Sequence, residues 1–176
     1  MSKIINLYGG PGVGKSTTAA GLFYKMKIAG YSCELAYEWI KLKVYENTPY
    51  PFNDQIYTFG KQHKQIKQLM NKVDYIITDS PLLLSLVYGE HESDEFKELV
   101  KTTNNSYDNY HFVLERNHEY SNYGRLQNEQ EANDIHSKII SMLNDNSISY
   151  IKVNSTNAVD IIFNIIRGAK RGDLIG

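Results

Sequence analysis

Apolar residues along this chain recur with two different periods, and the two alternate from end to end. "KIINLY" (3–8), "SCELAY" (32–37), "VDYIITD" (73–79) and "YHFVLER" (110–116) are short apolar-rich runs of strand length, followed later by "SYIKV" (149–153). Runs of this kind predict strands buried on both faces. Between them the apolar positions recur every three or four residues. Ala19, Leu22, Phe23 and Met26 mark a helix over 15–29 that stops before Gly30. Ile56, Phe59, His63, Ile66 and Met70 mark another over 53–72, with Asn53 placed as its N-cap. Residues 128–145 predict a polar, exposed helix, 156–167 a helix that closes the core, and "GAKRGDLIG" a loose tail. Strands separated by helices, with no Pro/Ser-rich linker and no internal repeat, predict a single α/β domain over 1–176. Its expected form is a three-layer α/β/α sandwich around a parallel sheet.

Bulk composition narrows the partners. A chain of 176 residues with 41% hydrophobic content has the length for one sizeable core. Nineteen Lys and Arg against twenty Asp and Glu leave a net charge of −1, so no bulk field draws the chain to nucleic acid or anionic membrane. Cys33 is the single cysteine and can form no internal disulfide, which suits a reducing compartment. No signal peptide precedes "KIINLY" and no apolar stretch is long enough to span a bilayer, so the expected location is the cytoplasm and no membrane partner is expected. The 14 tyrosines can stack on a base, although tyrosine also packs well in sheets.

Chemistry enters at "LYGGPGVGKSTTAAGL" (7–22), where Gly9 is followed after four residues by Gly14, Lys15 and Ser16. This is the G-x-x-x-x-G-K-[ST] spacing, and here it follows a predicted strand and opens a predicted helix. Glycines let the backbone wrap a phosphate so that its N–H groups face the oxygens, and Gly12 and Gly14 can adopt φ values closed to other residues. The helix beginning at Lys15 aims the positive end of its dipole at the same anion. Gly10, Gly12, Val13, Gly14, Lys15, Ser16 and Thr17 are therefore the expected nucleotide-binding residues. Lys15 reaches the β- and γ-phosphates and the Ser16 hydroxyl ligates Mg²⁺.

Whether the nucleotide is a switch, a fuel or a phosphoryl donor turns on the acids. Asp79 ends the third strand in "IITDSP", on the edge where ligands bind in open α/β sheets, and is a candidate Mg²⁺ ligand beside Ser16. Ser80 and Pro81 then turn the chain into the apolar "LLLSLVY" near the cleft. Glu38 follows the second strand and emerges on the same edge. It reads equally as a base for an attacking hydroxyl and as a dipole-favoured residue in the first turn of "EWIKLKVYE". Arg116 leaves the fourth strand, and Arg125 lies in the glycine-containing loop beyond it. Cations on such a loop can neutralise charge on a transferring phosphoryl group as it closes, a lid around 117–127, although Arg125 also reads as a surface charge. No Asn-Lys-x-Asp base reader of a signalling GTPase is present, and a motor or ring ATPase usually shows an acidic pair where this chain has one aspartate. His63, His111, His118 and His136 lack metal-ligand spacing, so Mg²⁺ brought with ATP is the expected cation.

Five stretches, "GGPGVGKSTTAAGL", "CELAYEW", "NDQIYTFGKQHKQ", "VDYIITDSPLLLSLVYG" and "YGRLQNEQEA", cover most of the chain in one order. In that order they resemble the P-loop kinases of nucleosides and nucleotides, and within them the ribosylnicotinamide-kinase-like ATP-binding proteins often carried by bacteriophages. The resemblance implies five strands in order 2-3-1-4-5. It also implies ATP and Mg²⁺ as cofactors, Glu38 or Asp79 at the acceptor hydroxyl, and Arg116 and Arg125 in the lid. The loop "VNSTNA" (153–158), with Asn154, would flank adenine, and Gln55, Tyr57 and Gln62 would face the acceptor, where residues alone read as a surface helix. The implied reaction moves the γ-phosphate to a hydroxyl of a nucleoside, nucleotide or related acceptor. The alternatives are a kinase of hydroxymethylpyrimidines or 5′-hydroxyls in DNA, and a regulatory ATPase without an acceptor. A lone Arg125 in the loop departs from the multi-arginine lid of nucleoside monophosphate kinases.

Overall fold

The computed structural model describes residues 1–38, 54–117 and 128–172. Five strands run in parallel: β1 (Lys3–Tyr8), β2 (Cys33–Ala36), β3 (Tyr75–Thr78), β4 (Asp108–Glu115) and β5 (Ile151–Asn154). Their order across the sheet is β2-β3-β1-β4-β5, as expected. Ile4 pairs with Ile76 on one side and with Asn109 on the other, which puts β1 at the centre. The helices are α1 (Lys15–Ile28), α2 (Gln55–Leu69), α3 (Leu84–Tyr88), α4 (Asp94–Asn105), α5 (Glu129–Asp145) and α6 (Ala158–Gly172).

Side-chain alternation along β1 divides the core in two. Ile5 and Leu7 face α1 and α6, packing with Leu22, Met26, Ile162 and Ile166. Ile4 and Tyr8 face the other way, packing with Phe59, Leu83, Phe96, Val100 and Ile139 from α2 to α5. A strand covered on both sides takes apolar residues on both faces, which is why β1 reads as an apolar-rich run broken only at Asn6, whose buried amide donates to Asn109 Oδ1 at 2.9 Å. The product is the expected three-layer sandwich. Among the described residues no helix is long and apolar enough to cross a membrane.

Several boundaries differ from those the pattern predicts. The cap of α2 is Asp54, whose carboxylate accepts from the Tyr57 N–H at 2.8 Å; the predicted cap, Asn53, lies outside the described residues. Helix α4 was not anticipated. It carries only Phe96, Val100 and Asn104 on its buried side, too sparse a stripe to stand out, but Ser93 caps it and Asp94 and Glu95 fill its first turn. Helix α5 is not wholly exposed: Ala132, Ile139, Met142 and Leu143 are buried, and a capping box of Asn128 and Glu131 starts it. Helix α6 runs on through Gly168 to Gly172 where a loose tail was expected. Helix α1 ends as predicted, with Gly30 left-handed at φ 79° and the Tyr31 N–H reaching back to Met26 O.

Candidate functional site

The loop from β1 to α1 is built around three glycines with positive φ: Gly9 at 142°, Gly12 at 81° and Gly14 at 95°. Gly14 is the N-cap of α1 and offers no side chain, and the first turn of the helix holds no acidic residue. The N–H groups of that first turn aim the positive end of the helix dipole toward the loop's concave side. Lys15 Nζ donates to Gly9 O at 2.7 Å and Gly10 O at 3.2 Å, which lays its stem along the loop. Val13 is buried and anchors the loop from below, while Ser16 and Thr17 stay exposed.

The β5–α6 connection closes one side. Ser155 Cβ lies 3.9 Å from where a side chain on Gly14 would begin, and the Ser155 N–H donates to Glu115 O at 3.0 Å. Ser155 Oγ is enclosed with no hydrogen-bond partner among the described residues, a polar atom placed for a ligand at the cradle. Asn154 is engaged within its own turn, its Oδ1 accepting from the Thr156 N–H at 3.0 Å. The loop's backbone amides, Lys15 and the Ser155 hydroxyl form a donor set that fits a nucleotide's phosphates. Among the described residues no three His, Cys, Asp or Glu side chains cluster as a metal site. A Mg²⁺ ion here would take Ser16 and Asp79 as its protein partners and fill its remaining positions with phosphate and water.

Sheet register brings the acids to the same edge. Ala36 and Asn6 both pair with Thr78, so Tyr37 and Glu38 continue beyond β2 at the level where Asp79 and Ser80 continue beyond β3. Asp79 is only 7% exposed. The Thr78 hydroxyl below it accepts from the Ser80 N–H at 3.1 Å and from Gln62 Nε2 at 3.3 Å, fixing the strand end on both sides of Asp79. Gln62 and Gln55, 5% and 8% exposed, are not surface residues. Gln62 points to Thr78, and Gln55 Cβ lies 3.2 Å from a side chain built on Gly89, at the end of α3. Tyr57, 41% exposed, lies under the Lys61 ammonium at 4.9 Å and matches the surface-helix reading. Tyr88, which pattern reading passed over, adjoins Glu38. Its phenol is pushed up to about 12, by burial first and then by the Glu38 charge.

On the far side of the cradle lies a recess of about 420 Å³ lined by Gly10, Pro11, Val13, Arg116, Asn133 and His136, among others. Arg116 lines this recess beside the loop residues Gly10, Pro11 and Val13. Its guanidinium is held on α5 by Glu129 at 3.1 Å and Asn133 at 2.7 Å, presenting a flat wall to the recess. Arg125 and all but the first residue of the lid expected around 117–127 lie outside the described residues. His136 lacks metal-ligand spacing in the sequence, yet its Nδ1 accepts from the Gly10 N–H at 3.2 Å. Pattern reading had no signal for that contact, because the partners stand 126 positions apart.

Residues 4–160 match the model of a family described as an AAA domain. Among solved structures, the chain is similar to a NadR protein in complex with NR, at a TM-score of 0.70 and 14% identity. That match covers 93% of this chain and 51% of the other, so the chain spans about half the length of that protein. It is also similar to thymidylate kinase from Ehrlichia chaffeensis, at a TM-score of 0.63 and 11% identity, over 94% of this chain and 100% of that one. Likeness at such identities is likeness of fold. No curated protein matches the chain by sequence.

Proposed function

The chain belongs to the AAA-domain family, and on that premise we propose that it is an ATP- and Mg²⁺-dependent phosphotransferase acting on a hydroxyl of a nucleoside, nucleotide or similar acceptor. The observation that carries this reading is the pair of acids, Glu38 and Asp79, brought by the β2–β3 register to the edge of the sheet beside the phosphate cradle. Two carboxylates at that edge can divide the work, one orienting the cation and one taking the proton of an acceptor hydroxyl. Asp79 is followed by Ser80 and not by another acid, which favours transfer to an acceptor over a motor. Two similar folds, a NadR protein in complex with NR and a thymidylate kinase, support an acceptor that contains a nucleobase.

Bound MgATP would supply the γ-phosphoryl group. In this reading the cradle amides and Lys15 hold the phosphate oxygens, Ser16 and Asp79 orient the cation, and Arg116 forms the wall for the base. Glu38 accepts the proton of the acceptor hydroxyl as its oxygen bonds to phosphorus, while the bond to the leaving β-phosphate oxygen breaks and its electron pair departs with ADP. Tyr88 and Gln55 line the acceptor's approach, with Tyr57 at its exposed rim.

The test is transfer of label from γ-labelled ATP with Mg²⁺ to a panel of nucleosides, ribosylnicotinamide, monophosphates and 5′-hydroxyl or hydroxymethylated DNA. Transfer to one acceptor, lost by 10²-fold or more (roughly, for a general base) in Glu38→Gln while ATP still binds, supports the proposal. Label released only as phosphate, at a rate no acceptor changes, refutes it.

A further inference from the structure

The peptide unit joining Gly9 to Gly10 is held at both ends. Its carbonyl, Gly9 O, accepts from Lys15 Nζ at 2.7 Å, and its N–H, on Gly10, donates to His136 Nδ1 at 3.2 Å. A trans peptide is planar with C=O and N–H on opposite sides, so rotating the unit takes both groups off their partners together. The unit sits in a loop whose glycines at 9, 12 and 14 leave the backbone many alternatives, so a specific anchor has conformations to exclude. Packing adds to the anchor. A Cβ at Gly10 would fall 2.3 Å from Ala132 O and 3.1 Å from His136 Cβ, so this turn lies directly on α5, on the face shared by two residues one turn apart.

We propose that His136 is a positioning residue for the phosphate cradle, its imidazole holding the Gly9–Gly10 peptide in the orientation whose carbonyl aims Lys15. The role rests on the phosphate-binding reading of Lys15 given above. Accepting at Nδ1 requires that position to be unprotonated, with the ring proton on Nε2. The surroundings hold it so. Burial is the main influence lowering the His136 pKa; Glu115 at the end of β4 opposes it, and Lys15 from α1, Lys152 from β5 and Arg116 add to it. Protonation would replace the acceptor with a second donor facing the Gly10 N–H and release the peptide.

Three proteins test this: wild type, His136→Ala and His136→Asn, whose Oδ1 stands where Nδ1 stood and does not titrate. ATP affinity is measured by calorimetry from pH 8 to pH 5, and Gly10 amide exchange by NMR without nucleotide. The Ala variant is expected to bind ATP roughly three- to tenfold more weakly, the effect of one hydrogen bond, with the Asn variant near wild type at pH 8. Toward pH 5 the wild type should lose affinity relative to the Asn variant. Gly10 exchange should be slow in wild type and Asn and fast in Ala. Equal ATP affinity in all three, or no rescue by Asn, overturns the inference. If wild type binds no ATP, the phosphotransfer reading fails, and Gly10 exchange alone decides the positioning role: equal protection in the three proteins overturns it.

Discussion

Gly10→Ala adds one methyl group, and its effect can be worked from distances. Gly10 does not need glycine for its φ, since the left-handed positions of the loop are 9, 12 and 14. What it lacks is space. The new Cβ would lie 2.3 Å from Ala132 O, a backbone atom of α5 with no rotamer to move. Reaching ordinary contact requires the loop and the helix to separate by about 1 Å, and overpacking of that kind costs about 1–3 kcal/mol. The same separation stretches the Gly10–His136 bond, which adds about 1 kcal/mol. For a chain of this length the sum, about 2–4 kcal/mol, lowers Tm by roughly 4–16 °C. Gly60→Ala is the matched control. Gly60 lies inside α2 with nothing within 4 Å of its added Cβ, and replacing an interior helical glycine stabilises by about 0.5–1 kcal/mol. Urea denaturation of both variants followed by circular dichroism should move the midpoints in opposite directions. A Gly10→Ala midpoint at or above wild type would show that the loop and α5 are not in the contact described here, and the argument would fall.

Two further outcomes follow from buried polar groups. His111 is held down to about 4 from 6.5 by burial, with the Tyr8 hydroxyl 3.1 Å from its Nδ1. Between those values the unfolded chain binds the proton and the folded chain does not, so stability is full above pH 6.5 and falls by about 3 kcal/mol as pH drops to 4. His111→Gln should flatten that part of the pH–stability curve, and an unchanged slope in urea titrations at pH 7 and 4.5 would refute the assignment. Gln62→Leu removes the amide that donates to Thr78 and should cost about 1 kcal/mol of stability. Because Thr78 holds the turn that carries Asp79, transfer should slow while ATP affinity is kept; wild-type kcat would remove Gln62 from that role.

Everything decided within a few neighbouring residues could be read before any coordinates. The period-2 and period-3.6 patterns, the glycine spacing before Lys15 and the strand-ending Asp79 are local, and local sterics and dipoles act on them whatever the rest of the chain does. Five strands, their alternation with helices and the cradle followed from that, and the family resemblance supplied the strand order. Where a local pattern was thin, the reading thinned too: α4 shows a stripe of three buried residues, and the cap of α2 is Asp54 beside a predicted Asn53. The partners of the site belong to tertiary structure alone. Gly10 meets His136 across 126 positions, Gln62 turns inward to Thr78, Arg116 folds onto α5, and Glu38 comes to lie by Tyr88. No periodicity encodes such pairs, because they are set by how the sheet register and the helix packing add up across the whole fold.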